Sequence, residues 1–443
     1  MSRVESEAQT LGELDAAGEG EFVLLGLPDV HGSIRGKALR PAAFEAALQE
    51  GTVMTDLLLA LDPTDQPITD YERFGIRSGA GDLVVHPEPE TLRELSWKLG
   101  WRVCLATPSW PDGSRCQLAS REVLRRALAA LAALGYEALA AFEYEIRLRD
   151  AEERPLSTGL SYSAGEILRF DEFLARLAPA LEALGVELGA VHTEAGPGLL
   201  ELNVAARTGL QAADDAAYVK LAVKEVAASL GLRASFLAKT TPGEEGSSGH
   251  VHLSCWREGE NAFATADAAA ELPGPLRAAL AGVLEHLPGA SLLLNPTVNS
   301  YKRLVPGYFA PVNVSWGVEI RSCAARVIAS ARPERCRIEC RRPGADANPY
   351  LALAALVVAA ADGLRREAEP PEPIVGDASA RDDLPALPNS LESALLAFEA
   401  DDVLRARLGE EFSDYYAVSR RWELKAWQEA VSDWERERYE RAV

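Results

Sequence analysis

Short apolar runs alternate with turn residues over the first hundred positions of the chain. The apolar run at 22–27 predicts a strand, and the Gly- and Pro-containing segment 28–37 that follows it predicts a hairpin. The composition of 41–50 predicts a short helix, and 52–105 predicts further short strands joined by turns. We therefore predict a small, mostly β domain over residues 18–108, preceded by a loose tail or a first helix.

The pattern changes after a Pro- and Trp-containing stretch at 107–113, which is typical of a linker. Helical periodicity then predicts three helices, each of which is followed by a glycine that can end it. Strand-like segments lie between them, and charged periodic segments with three tryptophans predict that residues 391–443 are helical. This alternation indicates a large α/β or α+β catalytic domain over residues 114–443. The three predicted helices are 120–134, 171–184 and 213–230.

Several predicted strands carry acidic, basic or imidazole side chains on their polar face. Alternation in 142–148 places its apolar residues on one face and two glutamates on the other. A solvated sheet face is the simplest explanation of any one such strand, but solvated faces usually mix Lys, Thr and Ser. Clustered glutamates repel one another unless a cation lies between them, and with one histidine they suit Mg²⁺ or Mn²⁺ better than zinc. The candidate polar faces carry Glu143, Glu145, Glu194, Glu201, His250, His252, Arg337, Glu339 and Arg341.

The segment 295–327 is rich in arginine, glycine, proline, asparagine and aromatic residues. Its Arg303, Arg321 and Arg326 offer donors that suit phosphate and carboxylate oxygens. Carboxylates that bind metal beside arginines that bind an anion suit phosphoryl transfer. Because no GxxxxGK[ST] motif occurs, the chain is not a P-loop enzyme.

Composition and charge exclude several other classes of protein. The 443 residues have a formal net charge of −22, which argues against nucleic acid or an anionic membrane as a partner. No run of eighteen apolar residues and no signal-like N-terminus occurs, so we expect a cytoplasmic protein. The six cysteines have no metal-site spacing and are expected to be reduced thiols.

Long motifs in the chain resemble the glutamine synthetase superfamily, of the type I-like kind. They are FEYE, EAGPGLLE, GSSGHVHLS, NPTVNSYKRLVPGY and RIECRRPGADANPYL, and the resemblance extends from the segment 29–37 to the terminal helices. It implies an α+β fold with a small β-grasp-like N-terminal domain. It also implies a large C-terminal catalytic domain with a curved antiparallel sheet and flanking helices. Ringed homo-oligomers, with a dodecamer as the expected form, would share active sites between subunits.

The resemblance also implies a role for each candidate residue. One divalent metal would bind Glu145, Glu194 and Glu201, and a second would bind Glu143, His250 and Glu339. ATP would contact His252, Ser254, Arg326 and Arg337, and glutamate would contact Gly246, Arg303 and Arg341. Arg321 would contact the transferring phosphoryl group, which makes Arg321, Arg303 and Glu339 the expected catalytic group. The implied reaction forms γ-glutamyl phosphate from glutamate and ATP, and a nitrogen nucleophile then displaces phosphate.

Departures from the family pattern point to the nucleophile. Glutamine synthetases carry a glutamate within the motif PGYEAP, on a flap over ammonium, whereas this chain has Phe309 there. The Asp-Gly-Ser-Ser segment that supplies an ammonium-binding aspartate is also missing, and Asp56 or Asp62 is its candidate substitute. A phenyl ring cannot deprotonate a small cation but can pack on the carbon chain of a larger amine. We therefore expect a ligase for glutamate and an organic amine, such as a polyamine or ethanolamine.

Three alternatives stay open from the sequence. One is a conventional glutamine synthetase that uses ammonium, and another is a catalytically inactive structural or regulatory member of the family. The third is an enzyme for another acid substrate, because Glu245 stands where family members often have asparagine.

Overall fold

The computed structural model describes residues 21–264 and 272–443, so the prediction for the N-terminal tail lies outside the described residues. The strands are β1 (Phe22–Pro28), β2 (Ile34–Leu39), β3 (Thr52–Thr55), β4 (Asp82–Pro87), β5 (Arg93–Glu94), β6 (Trp101–Ser109), β7 (Glu137–Arg149), β8 (Leu188–Thr193), β9 (Leu199–Val204), β10 (Arg207–Thr208), β11 (Arg233–Ser235), β12 (Gly249–Arg257), β13 (Glu260–Asn261), β14 (Trp316–Val318), β15 (Ala325–Ile328) and β16 (Arg337–Cys340). The helices are α1 (Pro41–Glu50), α2 (Ser120–Ala132), α3 (Ala164–Ile167), α4 (Asp171–Ala183), α5 (Gly209–Ser229), α6 (Gly274–Leu294), α7 (Pro349–Arg366), α8 (Leu391–Glu399), α9 (Asp402–Leu408), α10 (Glu410–Glu429) and α11 (Asp433–Tyr439).

The first sheet has the order β2-β1-β6-β4-β3, with β5 paired to β6. The predicted hairpin forms between β1 and β2, and Asp29 closes its turn by accepting the backbone N–H groups of His31 and Ser33 at 2.9 and 2.8 Å. The linker is predicted to begin at residue 107, but residues 107–109 form the end of β6 and pair with β4. Sheet pairing therefore overrides the turn tendency of Pro108.

The second sheet contains ten strands and is antiparallel apart from the parallel pair β14 and β15. Its main path is β14-β15-β16-β12-β7-β9-β8, so the thirteen-residue β7 lies between β12 and β9. The even-numbered residues of β7 from Ala138 to Leu148 are buried, while Glu143 and Glu145 lie on the other face, as their alternation predicts. This α+β arrangement confirms the predicted fold class.

The predicted helices form with small differences at their ends. Helices α2 and α4 begin at the predicted residues, and the glycines Gly135 and Gly185 follow them with positive φ of 81° and 76°. Helix α5 begins four residues earlier than predicted, at Gly209. The C-terminal segment is helical as predicted, in α8 to α11.

One hydrophobic core connects both sheets and the C-terminal helices. It runs from Val23 in β1 to Ala417 in α10, and hydrogen bonds reinforce it where the parts meet. The Asn348 side chain donates to the Asp29 carbonyl at 2.9 Å, and the Tyr415 hydroxyl donates to the Leu59 carbonyl at 2.8 Å. All six cysteines are buried, and the structure places none of them in a disulfide. Among the described residues, no helix is long and apolar enough to span a membrane.

Candidate active site

One cavity of about 930 Å³ lies against the polar face of the second sheet. It brings together every residue to which the resemblance assigns a role, together with Phe309, although those residues come from distant segments of the chain. Its wall includes Glu143, Glu145, Glu194, Glu201, Gly246, His250, His252, Ser254, Arg303, Phe309, Arg321, Arg326, Arg337, Glu339 and Arg341.

Strand register explains why these side chains converge. Adjacent strands of an antiparallel sheet place directly opposed residues on the same face, with their Cβ atoms about 4.5–5.5 Å apart. Opposed pairs across β7, β9, β12 and β16 are Glu143 with His250, Glu145 with Glu201, and Glu339 with His252.

The first acidic cluster consists of Glu143, Glu339 and the two imidazoles of β12. His250 Nδ1 lies 2.8 Å from Glu143 Oε1 and 3.5 Å from Glu339 Oε1, and His252 Nε2 lies 3.6 Å from Glu143 Oε2. Burial opposes ionisation of Glu339, but His252, Arg341 and His250 lower its pKa to about 2. Burial likewise opposes ionisation of Glu143, yet hydrogen bonds from both imidazoles hold its pKa well below the ordinary value. Both carboxylates are therefore ionised at neutral pH.

The second acidic cluster consists of His192, Glu194 and Glu201. His192 Nε2 lies 3.1 Å from Glu194 Oε1 and 3.5 Å from Glu201 Oε1. Burial raises the pKa of Glu201 to about 9, and repulsion from Glu143 and Glu145 adds to the effect. Such carboxylates need a cation between them to be ionised together. Glu145 faces the same space, but its carboxylate accepts the Ser248 N–H and hydroxyl, at 2.7 and 2.5 Å.

The donor sets fit two hard divalent cations. Ligand atoms of Glu143, His252 and Glu339 lie within 4.8 Å of one another, as do those of His192, Glu194 and Glu201. Carboxylate oxygens with an imidazole nitrogen suit Mg²⁺ or Mn²⁺. His250 suits the first cluster better than His252, because Arg337 Nε donates to His252 Nδ1 at 3.0 Å. A neutral imidazole that accepts at Nδ1 carries its proton on Nε2, the atom that faces Glu143. His252 therefore directs its Nε2 proton towards Glu143 Oε2, which at 3.6 Å is beyond hydrogen-bond distance.

The arginines of the cavity differ in their partners. Arg326 Nη1 donates to Glu339 Oε2 at 3.0 Å, and its other nitrogens donate to Glu319. Arg341 Nη1 donates to Glu339 Oε1 at 2.5 Å. Arg321 is exposed and makes no hydrogen bond or ion pair with any residue that the structure describes. Arg321 is thus available to a ligand, whereas Arg326 and Arg341 neutralise a candidate metal ligand.

Arg303 is the most buried of these arginines, and two backbone carbonyl groups hold its side chain. It lies in a short 3₁₀ helix, Ser300–Arg303, and its Nη2 donates to the carbonyls of Arg342 and Pro343 at 2.5 and 3.2 Å. Its Nε is buried without a hydrogen-bond partner. Burial lowers the pKa of Arg303 to about 10, so the group stays cationic at neutral pH.

Phe309 lies on an exposed loop at the cavity rim. Its ring is 61% exposed and its backbone has φ of +52°, an uncommon conformation for a bulky residue. The neighbouring Tyr308 is also exposed and packs against Lys239, whose Nζ lies 5.6 Å from the ring centroid. Phe309 and Tyr308 therefore present aromatic surface at the mouth of the cavity.

The two aspartates considered as ammonium ligands are held elsewhere by the same chain. Asp56 accepts the Gly75 N–H at 3.1 Å, and Asp62 accepts from Thr64, Gln66 and Trp422. Neither lines the cavity of this chain.

His192 and Tyr162 are among the cavity residues to which sequence reasoning assigned no role. His192 precedes Glu194 by two positions, so strand alternation could have placed both on one face. The Tyr162 ring contacts His192 with centroids 4.1 Å apart and planes tilted by 43°, and Tyr162 is 71% exposed with φ of +52°. Tyr162 lies in a loop between distant elements, and no local pattern marks it.

Several known proteins resemble this chain over most or nearly all of its length. The family described as glutamine synthetase, catalytic domain, matches residues 117–439. The chain is 35% identical to the γ-glutamylethanolamide synthetase GlnA4 of Streptomyces coelicolor, over 96% of this chain and 94% of that protein. It is 33% identical to the glutamate–isopropylamine ligase of a Pseudomonas species, over 95% of each chain. It is also 33% identical to the glutamine synthetase of Thermus thermophilus, over 97% of this chain and 98% of that one.

A solved structure has the same fold over nearly the whole chain. The complex of GmaS with ADP superposes with a TM-score of 0.86 at 28% identity, over 97% of this chain and 98% of that chain. These similarities confirm the resemblance and the ATP-dependent ligase class that it implies. The chain belongs to the glutamine synthetase family.

Proposed function

We propose that this protein joins the γ-carboxylate of glutamate to an organic amine in an ATP-dependent reaction through γ-glutamyl phosphate. A monoamine of the ethanolamine kind or a polyamine is the expected nucleophile. The observation that carries the proposal is Phe309, an exposed phenyl ring at the cavity rim where glutamine synthetases carry a carboxylate. A relative named as a γ-glutamylethanolamide synthetase and another named as a glutamate–isopropylamine ligase support an organic amine as the nucleophile.

The acidic clusters supply the expected metal sites. Glu143, His250 and Glu339 would hold one Mg²⁺ or Mn²⁺, and Glu194 and Glu201 would hold another, with Glu145 facing the same space. When bound, these ions neutralise phosphate charge and polarise the phosphoryl oxygens. His192 is a further candidate donor at the second site, because its Nε2 faces both glutamates.

The chain's own residues then position the reactants. Arg303 and Arg341 bind the glutamate carboxylates, while Arg326, Arg337, His252 and Ser254 bind ATP. A γ-carboxylate oxygen attacks the terminal phosphorus and ADP leaves, with Arg321 stabilising the charge of the moving phosphoryl group. The neutral amine attacks the acyl carbon, phosphate leaves, and carboxylates of the cavity wall accept the amine protons. Phe309 packs on the carbon chain of the amine.

The proposal includes the assembly and location that the resemblance implies. The chain forms a ringed homo-oligomer, with a dodecamer as the expected form, and it acts in the cytoplasm. Active sites shared between subunits place a neighbour's residues at the cavity rim, where Phe309 is exposed in a single chain.

Steady-state phosphate release with glutamate, ATP and Mg²⁺ tests the choice of nucleophile. We expect turnover with ethanolamine or another organic amine at concentrations where ammonium supports little turnover, and mass spectrometry should identify the γ-glutamyl amide. Efficient turnover with low concentrations of ammonium would contradict the proposal.

The variant Phe309→Glu tests whether Phe309 determines the preference for an organic amine over ammonium. A carboxylate at this position can hold ammonium, so the ratio of kcat/KM for ammonium to that for the amine should rise by about tenfold or more. Phe309→Leu is the matched control, since it keeps an apolar side chain and should keep the amine preference. An unchanged amine profile in Phe309→Glu would count against the role of this residue.

A conventional glutamine synthetase is the second candidate. Its support is the 33% identity with the Thermus thermophilus glutamine synthetase, which is as high as the identity with the isopropylamine ligase. The same amine panel separates the two candidates.

A further inference from the structure

We propose that Arg147 is a positioning residue that locks the turn 194–198 to the loop 240–246 and so couples the second metal site to glutamate binding. This inference rests on the proposed function, since both ligands belong to that reaction. Arg147 continues the polar face of β7, but it does not line the cavity. Its side chain is 1% exposed, and no step of the proposed reaction uses it.

The guanidinium fork of Arg147 reaches both segments at once. Its Nη1 donates to the Pro197 carbonyl at 2.7 Å and to Glu244 Oε2 at 2.8 Å. Its Nη2 donates to the Glu245 carbonyl. Two of these three acceptors are backbone carbonyl groups, one from each segment, so the rigid fork fixes both main chains relative to each other.

The turn packs directly on the guanidinium group. A Cβ atom on Gly196 would lie 2.8 Å from Arg147 Nη2 and 3.3 Å from Nη1, so glycine allows this close approach. The turn also closes on itself, because the Gly196 N–H donates to the Glu194 carbonyl at 2.8 Å and the Glu194 N–H donates to the Leu199 carbonyl at 3.2 Å. A shift of the Pro197 carbonyl would therefore move the main chain of Glu194.

Both segments end at the cavity wall. Glu194 of the turn lines the cavity with Glu201, and Gly246 of the loop lies on Arg303, because a Cβ atom on Gly246 would lie 2.3 Å from Arg303 Cγ. A metal that fixes Glu194 also fixes the turn, and the fork transmits this order to the loop. Glutamate that orders the loop favours metal binding in return, since coupling between two ligands is reciprocal.

Stability alone does not explain an arginine at this position. Burial lowers the pKa of Arg147, and the charge of Glu244 opposes this effect. Its Nε is buried and has no hydrogen-bond partner among the described residues. A buried ion pair is often no more stable than apolar residues of similar volume, so the connection between the two segments is the better reason for this charge.

The variant Arg147→Lys keeps the positive charge but replaces the planar fork with one ammonium group that cannot span both segments. Calorimetry on the full-length protein measures glutamate binding without and with saturating Mn²⁺, and the ratio of the two dissociation constants is the coupling factor. We expect this factor to fall by at least about fivefold in Arg147→Lys. Arg149→Lys is the matched control, because Arg149 lies on the same face of β7 and donates to Thr241 of the loop at 3.0 Å but to no residue of the turn. It should keep the wild-type factor.

A second variant tests the connection from the side of the turn without changing a charge. The methyl group of Gly196→Ala would displace the fork of Arg147, so the coupling factor should fall here too. Arg121→Lys controls for a purely structural role, because Arg121 is 2% exposed and pairs with Asp214. It should lower Tm and keep the wild-type coupling factor.

A wild-type coupling factor in Arg147→Lys would overturn the proposal, because a direct contact between metal and glutamate would then be enough to couple the two ligands. An equal loss in Arg149→Lys or Arg121→Lys would also overturn it, as would a factor near one in the wild type. Wild-type protein that shows the coupling but forms no amide would contradict the proposed function alone, since the binding comparison does not need turnover.

Discussion

At the scale of single residues, a change at Gly246 tests whether the loop that contacts Arg303 belongs to the glutamate site. A methyl group at this position would lie 2.3 Å from Arg303 Cγ and 2.5 Å from the Ala238 carbonyl, so Gly246→Ala must displace the arginine or the loop. We expect KM for glutamate to rise by about tenfold or more, because a small misplacement of a binding group has a large effect. KM for ATP measured in the same assays should change little.

Gly165→Ala is the control for Gly246→Ala, because a Cβ atom at Gly165 has no neighbour within 4 Å. It should leave both KM values unchanged. A Gly246→Ala variant with the wild-type KM for glutamate would show that this loop does not take part in glutamate binding.

Glu143 tests the first metal site. Glu143→Gln keeps the shape of the side chain but removes the charge beside His250, so we expect Mn²⁺ affinity to fall by more than about tenfold. Calorimetric titration with Mn²⁺ measures this fall, and turnover should be lost with it. Glu260→Gln changes an exposed glutamate of β13 and should bind Mn²⁺ as the wild type does. Unchanged Mn²⁺ binding in Glu143→Gln would show that this carboxylate is not a metal ligand.

Individual site residues could be predicted from the sequence only where a local pattern marks them. Alternation in β7 identifies the face that carries Glu143 and Glu145, and long family motifs identify the arginines. The pairing of Glu143 with His250 depends on strand register between segments more than a hundred residues apart, which no local pattern encodes. Tyr162 reaches the cavity through a loop with positive φ, and tertiary contacts decide its place.

At the scale of elements, helices were predictable because their ends carry local signals. Glycines with positive φ follow α2 and α4, and such residues end helices in any context. Pro108 predicts a linker at 107–109, yet this segment pairs with β4 as the end of the central strand β6 of the first sheet. Strand ends depend on the neighbouring strand and are therefore harder to predict than helix ends.

A buried ion cluster joins the C-terminal helices to the core. His286 of α6 lies 2.9 Å from Asp401, which caps α9, and 3.3 Å from Asp362 of α7. Burial lowers the pKa of His286, but hydrogen bonds to both aspartates outweigh burial and raise it above 6.5. The charged imidazole therefore stabilises the fold below pH 6.5, and this contribution disappears as the pH rises through the raised pKa.

The variant His286→Gln should lower the free energy of unfolding by about 1–3 kcal/mol at pH 6, because it leaves the partly buried Asp401 carboxylate without its cation, while Asp362 keeps Arg366. The difference in Tm between wild type and variant should be largest at pH 6 and should shrink by pH 9. Scanning calorimetry across this range measures it. His86→Gln is the control, since His86 bonds to Ser109 and not to a carboxylate. A Tm difference that does not depend on pH would show that the imidazole is not charged in the fold.

At the scale of the whole molecule, assembly must overcome a large net charge. Each chain carries −22, so the subunits of a ring repel one another at low ionic strength. Charge repulsion falls as the Debye length shortens from about 30 Å at 0.01 M salt to about 8 Å at 0.15 M. Exposed aromatic residues of α10 and α11 offer apolar contacts that salt does not weaken. They are Trp427, Trp434 and Tyr439, which are 53%, 59% and 45% exposed.

Light scattering after size-exclusion chromatography tests this balance. At 0.15 M salt we expect a mass near twelve times the 47.7 kDa of one chain, and at 0.01 M salt we expect smaller species. The double variant Trp427→Ser and Trp434→Ser should shift the mass towards smaller species at both salt concentrations, because it removes apolar contact area. Leu99→Ser is the control, since Leu99 is fully exposed on the first sheet's side of the molecule and should not change the mass.

Because the rim around Phe309 would be completed by a neighbouring subunit, specific activity should fall together with the mass. A monomer with full activity would contradict both the ring and the shared site.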